Sequence, residues 1–580
     1  MIQGVIFDFD NTLYDYDVNN KRALDTLFNE LHNNLSIPLH SVSSVYDKIN
    51  KNIKGSNNHS NKFNKAIYVK KLMELFHVPL SHLDYYLQIY HNSFFEGLVL
   101  YPGVANFLAF LKSKNIKIGL ISNNQFYQQY EKLQELNIIS YIDCILTSDE
   151  CGNEKPDVSI FLQIQHKLGI PFDKIVYIGD DYICDIEPAL RLGMFSFLFE
   201  ENTENCTYSE QKYIKFGHYC FILQFFQEYF ITVDNLVRLS KFFGQSEFNV
   251  QGPGGNISVK MGDLLFIKSS GFILGNMCYE QGYCILHNPS CVNMVISSSV
   301  DFTDRISVTS MDDLGFSEPQ SGSVKPSRVN DVKTAKIIGW NQPSMETYFH
   351  SFMKKYTVHL HFTPSNVWFC SNAVLDMSDF VYEHTTIDYF TPGIELSHEI
   401  HTRYSSDCDI YFLKNHGVII TADTTEEIYI YYDYLFDYFC GKNGSLVGSE
   451  KISQEKSCST MSHMFDEKRV VKCTKMGNLF DQIKNMVFCF PDLAVFVQKM
   501  TVIYSLDNKF TEDYDIILYN ENVYVSSENI TKCYSLIEIL QSYIDIYCYV
   551  KRMNDTTELI SIKNDVLKLQ TMEEEILRRK

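Results

Sequence analysis

Asp8 and Asp10 stand two residues apart at the end of Gly4-Val-Ile-Phe-Asp-Phe-Asp-Asn-Thr12, a short apolar run that turns polar. On an extended chain, residues at i and i+2 project from the same side. Two carboxylates held that close repel unless a cation or a proton intervenes. A hard divalent ion such as Mg2+ resolves the conflict because it takes oxygen ligands. A second acidic group, Gly179-Asp-Asp-Tyr-Ile-Cys-Asp185, follows the apolar run 174–178. If both runs are strands of one parallel sheet, their carboxyl ends share an edge and Asp180 comes back beside Asp8 and Asp10. The same edge recruits Ser122 and Asn123, after the run 116–121, and Lys155. Carboxylates for a metal and a nucleophile, with a hydroxyl and an ammonium for phosphate oxygens, form a phosphoryl-transfer set. Each residue alone reads more readily as a helix cap; the ordered set argues for chemistry. Asp181 stands open between assisting the metal and capping the next helix.

A second set is built on nitrogen. His359 and His361 flank Leu360 in TVHLHF, so strand alternation puts both imidazoles on one face. His416, followed by the turn-permitting Gly417, offers a third ring. Three neutral imidazoles suit Zn2+ or a neighbouring transition metal and leave a position open for substrate. Glu346 lies in Pro343-Ser-Met-Glu-Thr-Tyr-Phe-His350. A helix beginning just after Pro343 would offer backbone N–H groups near Ser344 to an anion, with Glu346 facing the metal one turn in. A carboxylate beside an open metal site can move a proton to or from carbon. The run 252–258 and Ser269-Ser270-Gly271 supply permissive backbone and hydroxyls for phosphate or carbonyl oxygens, without the spacing of a dinucleotide site.

The elements that must position these groups alternate in βαβ rhythm over the first two hundred residues. Strands are predicted at 116–121, 144–146, 174–178 and 194–200, and helices at 126–136, 158–168 and 185–192. Amphipathic helices fill 17–98, where NNKRALDTLFNELH and KAIYVKKLMELF carry apolar residues three and four apart. Farther on, helices are predicted at 232–243, 343–353 and 425–439, with strands at 357–362 and 409–413. Residues 300–330, rich in Ser, Asp, Gly and Pro, read as a long loop, and apolar runs at 493–497, 516–519 and 523–525 suggest a last small α/β piece without a functional motif.

The chain has 580 residues, too many for one ordinary core, and its 45% hydrophobic and 21% charged residues can fill several. With 50 Lys and Arg against 71 Asp and Glu, the net charge of -21 repels a phosphate backbone, so nucleic acid is not an expected partner. Sixteen Cys without a C-x-x-C pair imply reduced thiols. The N-terminal apolar stretch is cut off at once by Asp8 and Asp10, so neither a signal sequence nor a membrane anchor is expected and the cytoplasm is the expected location.

The set FDFDNT (7–12), ISN (121–123), EKP (154–156) and GDDYICD (179–185) resembles the haloacid dehalogenase-like (HAD) hydrolases over residues 1–200. The resemblance implies a Rossmann-like domain in which Asp8 attacks phosphorus and Asp10 protonates the leaving group, then activates water. Thr12, Ser122, Asn123 and Lys155 would hold the phosphoryl group. Asp8, Asp180 and the main-chain carbonyl of Asp10 would bind Mg2+, with Asp185 supporting that shell. The presence of Asp10 favours a phosphatase over a dehalogenase, and 17–98 would be the cap that selects substrate. The set QGPGGNISVK (251–260), FIKSSG (266–271), PSMETYFH (343–350), VHLHF (358–362), YFTPG (389–393) and LKNHGVII (413–420) resembles the class II aldolase/adducin superfamily. There His359, His361 and His416 would bind Zn2+ and Glu346 would be the acid/base. Asn256, Ser270, Gly271 and Ser344 would hold a sugar phosphate, although Met345 stands where the family often has a second small hydroxyl residue.

The expected architecture is α/β throughout. It places a HAD-like domain at 1–204 with a helical cap at 17–98, a linker at 205–224, an α/β/α aldolase-like domain at 225–440, an exposed connection at 441–484 and a C-terminal α/β extension at 485–580. The expected function is bifunctional: a Mg2+-dependent phosphatase and a Zn2+-dependent aldolase acting on a ketose phosphate through an enediolate. Epimerase, dehydratase and non-catalytic binding module are the alternatives for the second domain. Such a pairing suggests successive work on one phosphorylated carbohydrate, in a homo-oligomer such as a tetramer.

Overall fold

The computed structural model of the 580-residue chain describes residues 2–55, 62–204, 206–209, 213–297, 336–338, 342–443, 453–455, 469–474, 483–497, 500–502, 515–519, 522–527, 530–553, 557–562, 565–566 and 569. The loop expected at 300–330 lies outside the described residues. The chain divides into two compact units, Met1–Phe230 and Ile231–Lys580.

The first unit is organised by a seven-stranded sheet. In chain order its strands are β1 (Gly4–Phe7), β2 (Lys117–Ser122), β3 (Cys144–Thr147), β4 (Ile175–Gly179), β5 (Phe195–Phe199), β6 (Thr207–Tyr208) and β7 (Ile214–Phe216), and their spatial order is β3-β2-β1-β4-β5-β7-β6. All pairs are parallel except β6 with β7. Helices on both faces explain why β1, β4 and β5 are buried throughout and read as continuous apolar runs. The strand order reverses at β1, where Phe7 lies opposite Leu120 on one side and Ile178 on the other. The residues after these three strands therefore share one crevice, the ligand site of such sheets.

Four α-helices, Tyr16–Leu35, Leu39–Lys54, Lys65–Leu75 and Leu83–Phe95, follow β1 as expected for 17–98. The first is started by the Asp15 side chain, which accepts the N–H of Val18 at 2.8 Å, and buries Ala23, Leu27 and Leu31 along one stripe. One expectation is corrected. The predicted linker 205–224 holds β6 and β7, which complete the sheet, and the start of the 26-residue helix Tyr219–Gly244. The predicted helix 185–192 is present but starts earlier and more loosely wound: a π-helix, Tyr182–Ile186, runs into the α-helix Glu187–Arg191. Asp181 caps the π-helix by accepting the N–H groups of Ile183 and Cys184 at 2.8 and 2.9 Å.

The second unit contains an eight-stranded sheet. Its strands are β8 (Asn256–Met261), β9 (Leu264–Lys268), β10 (Tyr283–His287), β11 (Lys336–Ile338), β12 (Tyr356–Leu360), β13 (His384–Ile387), β14 (Ile410–Leu413) and β15 (Gly417–Ala422), in the order β11-β10-β9-β8-β12-β15-β14-β13. Central β12 pairs antiparallel with β8 and β15, so His359 lies between Asn256 and Ile419. The predicted helix at 343–353 is only Thr347–Phe352, with Glu346 at its N-cap rather than one turn inside.

A third sheet, β16 (Ser453–Glu455), β17 (Arg469–Thr474), β18 (Met500–Val502), β19 (Ile516–Tyr519) and β20 (Asn522–Ser527), is ordered β16-β17-β20-β19-β18. The run 441–484 is therefore not simply an exposed connection: it holds the end of helix Thr425–Asn443 and two paired strands. Within 493–497 the chain is helical, Pro491–Phe496. Helix Ile530–Met553 shares one apolar core with β19, β20 and with Val367 and Cys370 at the end of helix Thr363–Phe369. Among the described residues no helix is long and apolar enough to cross a membrane.

Gly417 sits where β15 passes β12 so closely that a Cβ would overlap the Leu360 carbonyl and lie 3.1 Å from the His361 Cα. Gly417→Ala is expected to destabilise the second unit by about 1–3 kcal/mol through this overpacking. Calorimetry should show a lower melting temperature; an unchanged melt would mean that the strands can separate without cost.

Candidate active sites

The crevice at the end of β1 gathers the acidic set. Asp8 leaves the strand with its N–H donating to the Ile178 carbonyl at 2.8 Å, which aims its side chain along the sheet edge. The Thr12 hydroxyl reaches Asp8 Oδ2 at 2.9 Å and Asp180 Oδ1 at 3.2 Å. Lys155 Nζ donates to Asp8 Oδ1 at 2.5 Å and Asp185 Oδ1 at 2.6 Å, and the Tyr177 hydroxyl adds a bond to Asp185 at 2.9 Å. Oxygens of Asp8, Asp180 and Asp185 lie within 4.8 Å of one another.

Three carboxylates around one ammonium leave excess negative charge in a place nearly closed to water. Burial, reinforced by the neighbouring carboxylates, pushes Asp8 well above the usual range even with Lys155 beside it. Burial and Asp185 raise Asp180 to about 6. Lys155 loses solvation as well, yet Asp185 and Asp8 hold its proton well above the ordinary lysine range. This donor set fits a hard divalent cation, which would relieve the repulsion that two ionised neighbours create.

Asp10 is set apart from this cluster. Its carboxylate accepts from Lys132 Nζ at 2.8 Å, Gln129 Nε2 at 2.9 Å, Asn124 Nδ2 at 3.2 Å and the Tyr14 hydroxyl. Burial opposes its ionisation, but Lys132 and these donors outweigh burial and hold Asp10 below the usual carboxylate range. A metal role for its side chain is therefore not what the arrangement offers. Asn123 is also turned away from a phosphate role: its amide group bonds both the N–H and the carbonyl of Lys155, at 2.7 and 2.9 Å, and so fixes the Lys155 loop. Ser122 accepts from Gln129. Gln129 and Lys132 were missed in the sequence, although they lie three apart on one face of helix Phe126–Glu135, directly after the Ser122 segment.

The second site is formed by β12, the turn before β15 and the segment before helix Thr347–Phe352. His359 Nε2 lies 3.3 Å from His416 Nε2, and His361 Nε2 is buried without a hydrogen-bond partner. His359 Nδ1 faces the Val418 carbonyl at 3.1 Å, and a carbonyl only accepts, so the proton is on Nδ1 and the Nε2 lone pair faces inward. Donor atoms of all three rings fall within 4.8 Å of one another. Inward lone pairs and an orphaned imidazole nitrogen fit a borderline-soft transition metal. Glu346 Oε1 stands 3.1 Å from His416 Nε2 and 3.6 Å from His359 Nε2. Burial disfavours its charge, but the three imidazoles outweigh that and keep Glu346 well below the usual range.

Asn256, Lys268, Ser270, Gly271, Ser344 and Glu346 line a small cavity beside the rings. Asn256 Nδ2 already donates to Glu346, so it holds the acid/base candidate rather than standing free for a phosphate. The Ser344 hydroxyl accepts the Glu346 N–H at 3.3 Å. Lys268, unnoticed in FIKSSG, is buried with Nζ on the Pro253 carbonyl at 2.9 Å. The other missed residue is Asp492, whose Oδ2 accepts from His361 Nδ1; an acid in an apolar run gave no sequence signal.

Residues 5–199 match the family model described as haloacid dehalogenase-like hydrolase, and residues 234–439 match class II aldolase and adducin N-terminal domain. Over 202 residues the chain is 33% identical to a glyceraldehyde 3-phosphate phosphatase of Methanothermobacter thermautotrophicus, spanning 34% of this chain and 85% of that protein. It is 26% identical over 210 residues to a ribulose-1,5-bisphosphate 5-phosphatase of Halopiger xanaduensis, spanning 35% and 87%. A solved N-terminal class II aldolase domain of a conserved protein from Thermoplasma acidophilum is similar at 21% identity over 36% of this chain and 92% of that one, with a TM-score of 0.29.

Replacing Lys132 by Met would strand the Asp10 carboxylate without its cation, at a cost of about 3 kcal/mol near neutral pH. Asp10 is held below its unfolded pKa in the parent, so the pair stabilises the fold above the usual carboxylate range and loses that effect as pH falls through the depressed value. The melting-temperature gap between parent and Lys132→Met should thus be wide at pH 7.5 and narrow only as pH falls below the usual carboxylate range. A gap independent of pH would contradict the pairing.

Proposed function

From a chain that belongs to the haloacid dehalogenase-like hydrolases over residues 5–199 and carries a class II aldolase and adducin domain over 234–439, we propose two chemistries: phosphate-monoester hydrolysis in the first unit and a lyase reaction on a phosphorylated carbohydrate in the second. The convergence of Asp8, Thr12, Lys155 and Asp180 on one crevice carries the first reading, and three imidazoles with Glu346 between two of them carry the second.

In the first site Asp8 is the nucleophile: a carboxylate oxygen bonds to phosphorus as the ester oxygen leaves with a proton from Asp10. Water then attacks the aspartyl phosphate, gives a proton back to Asp10 and releases inorganic phosphate. Asp10 is the acid/base: Lys132, Gln129 and Tyr14 hold its carboxylate in place and favour the ionised form that takes the proton from water in the second step. Thr12 and Lys155 bind phosphoryl oxygens, and Asn123 acts through the Lys155 backbone. Asp8 and Asp180 would hold Mg2+, which supplies charge neutralisation for the transferring group. The relatives' names support a small phosphorylated aldose or ketose as substrate.

In the second site His359, His361 and His416 would hold Zn2+ or a similar ion, which supplies Lewis-acid stabilisation of negative charge on substrate oxygens. Glu346 moves the proton. Lys268, Ser270, Gly271 and Ser344 line the cavity that would receive the phosphate or oxygen substituents. We favour aldol cleavage or formation over epimerisation and dehydration, on a ketose phosphate, in a cytoplasmic homo-oligomer; the first site would then accept a product of the second.

A mass-spectrometric screen of phosphosugars with the full chain tests both assignments. Asp8→Asn should remove phosphate release by about 10⁴-fold or more while the second reaction persists. Glu346→Gln should lower the lyase reaction by roughly 10²–10⁴-fold with phosphatase activity kept. Appearance of a short aldehyde with dihydroxyacetone phosphate identifies the aldolase; a dehydrated ketone or an epimer in its place would overturn that choice.

A further inference from the structure

Beyond residue 439, where the aldolase-family match ends, the chain runs on for residues to which no role is attached. Those residues touch the imidazole site at its frame. The Asp492 carboxylate, fully buried at the start of helix Pro491–Phe496, accepts from His361 Nδ1. A carboxylate only accepts, so the imidazole proton sits on Nδ1 and leaves the Nε2 lone pair to the interior, where that nitrogen has no protein partner. The chain makes room for this pair: a Cβ on Gly254 would lie 2.7 Å from His361 Nδ1 and 2.8 Å from Asp492 Oδ2.

The second contact is at His416. Its neighbour Asn415 has a φ of +55°, a region Asn tolerates better than most residues. The Asn415 side chain donates to the Cys489 carbonyl at 2.9 Å and the Ile560 carbonyl at 3.0 Å. A third contact holds the glycine-rich turn, where the Gly252 N–H donates to Glu538 Oε2 at 2.8 Å. Beneath these polar ties, the C-terminal strands and helix share an apolar core with Val367 and Cys370, on the helical segment that begins two residues after His361.

We propose that the C-terminal region is a working part of the second site, with Asp492 as the positioning residue that fixes the tautomer and aim of His361, and Asn415 as the tie that seats the His416 turn on the same region. The inference rests on reading the three imidazoles as a metal centre. It extends that site beyond the family-matched segment. A carboxylate behind a ligating imidazole both orients the ring and raises its basicity, and removing such a partner typically weakens metal affinity about 10–100-fold.

The test is a Co2+ titration of the full chain by visible absorption, with competition by a chelator to obtain affinity. Parent protein should show one intense visible Co2+ band of a nitrogen-donor site, and that band should be lost in His359→Ala. Asp492→Ala should weaken Co2+ binding by about 10–100-fold, and the isosteric Asp492→Asn, which can still accept from Nδ1–H but carries no charge, should retain part of the affinity. The saturated Co2+ spectrum should also shift in Asp492→Ala, while the metal-free Asp492→Asn protein melts like the parent. If Asp492→Ala fails to fold, Asp492→Asn alone decides through its affinity. Parent-like affinity and spectrum in the folded variants overturn the role of Asp492 and leave the metal reading intact. A parent that shows no such band overturns both.

Discussion

Both candidate sites are governed by one constraint: polar groups whose demands their protein partners do not fully meet are gathered where little water reaches them. In the first, Asp8, Asp180 and Asp185 share a crevice with a single ammonium. In the second, two Nε2 atoms face each other at 3.3 Å and a third finds no partner. A fold bears such arrangements only where the surrounding structure over-determines them, and the usual reason is a ligand that resolves the conflict. Hard oxygen donors and imidazole nitrogens call for different cations, so one chain would carry two kinds of chemistry.

The scaffolds meet this constraint in different ways. A parallel sheet brings distant segments to one edge because the chain direction is the same in every strand, and the order reversal at β1 opens the edge for a ligand. The antiparallel second sheet instead uses cross-strand register. His359 and His361 come from the β12 strand and its exit, and His416 from the turn entering the neighbouring β15, which Gly417 allows to approach closely. In each case a few polar ties fix the loops: Asn123 on the Lys155 backbone, and Asn415 on two carbonyls of the C-terminal region.

Much of this was legible in the sequence because motif residues sit at strand ends, and apolar runs mark the strands. Helix Val158–Leu168 agrees with its periodicity to the residue, since an Asp at its N-cap and a Gly at its C-cap punctuate it. Short or polar elements were not legible. β6 and β7 are two and three residues long and derive their stability from an existing sheet edge, so they read as linker. Helix Thr347–Phe352 begins later than Pro343 suggests, which moves Glu346 to the N-cap without taking it from the histidines. The partners Lys132 and Asp492 escaped because each acts through a long-range contact: no local pattern tells that Asp10 lies 122 positions from its counter-ion or that His361 lies 131 from its carboxylate.

The most direct measurement is anomalous diffraction from crystals of the full chain grown with Mg2+ and Zn2+. The account predicts a zinc signal bonded to the Nε2 atoms of His359, His361 and His416, and a lighter ion among oxygens of Asp8 and Asp180. Maps in which the imidazoles turn away from one another, or in which both positions hold only water, would contradict it.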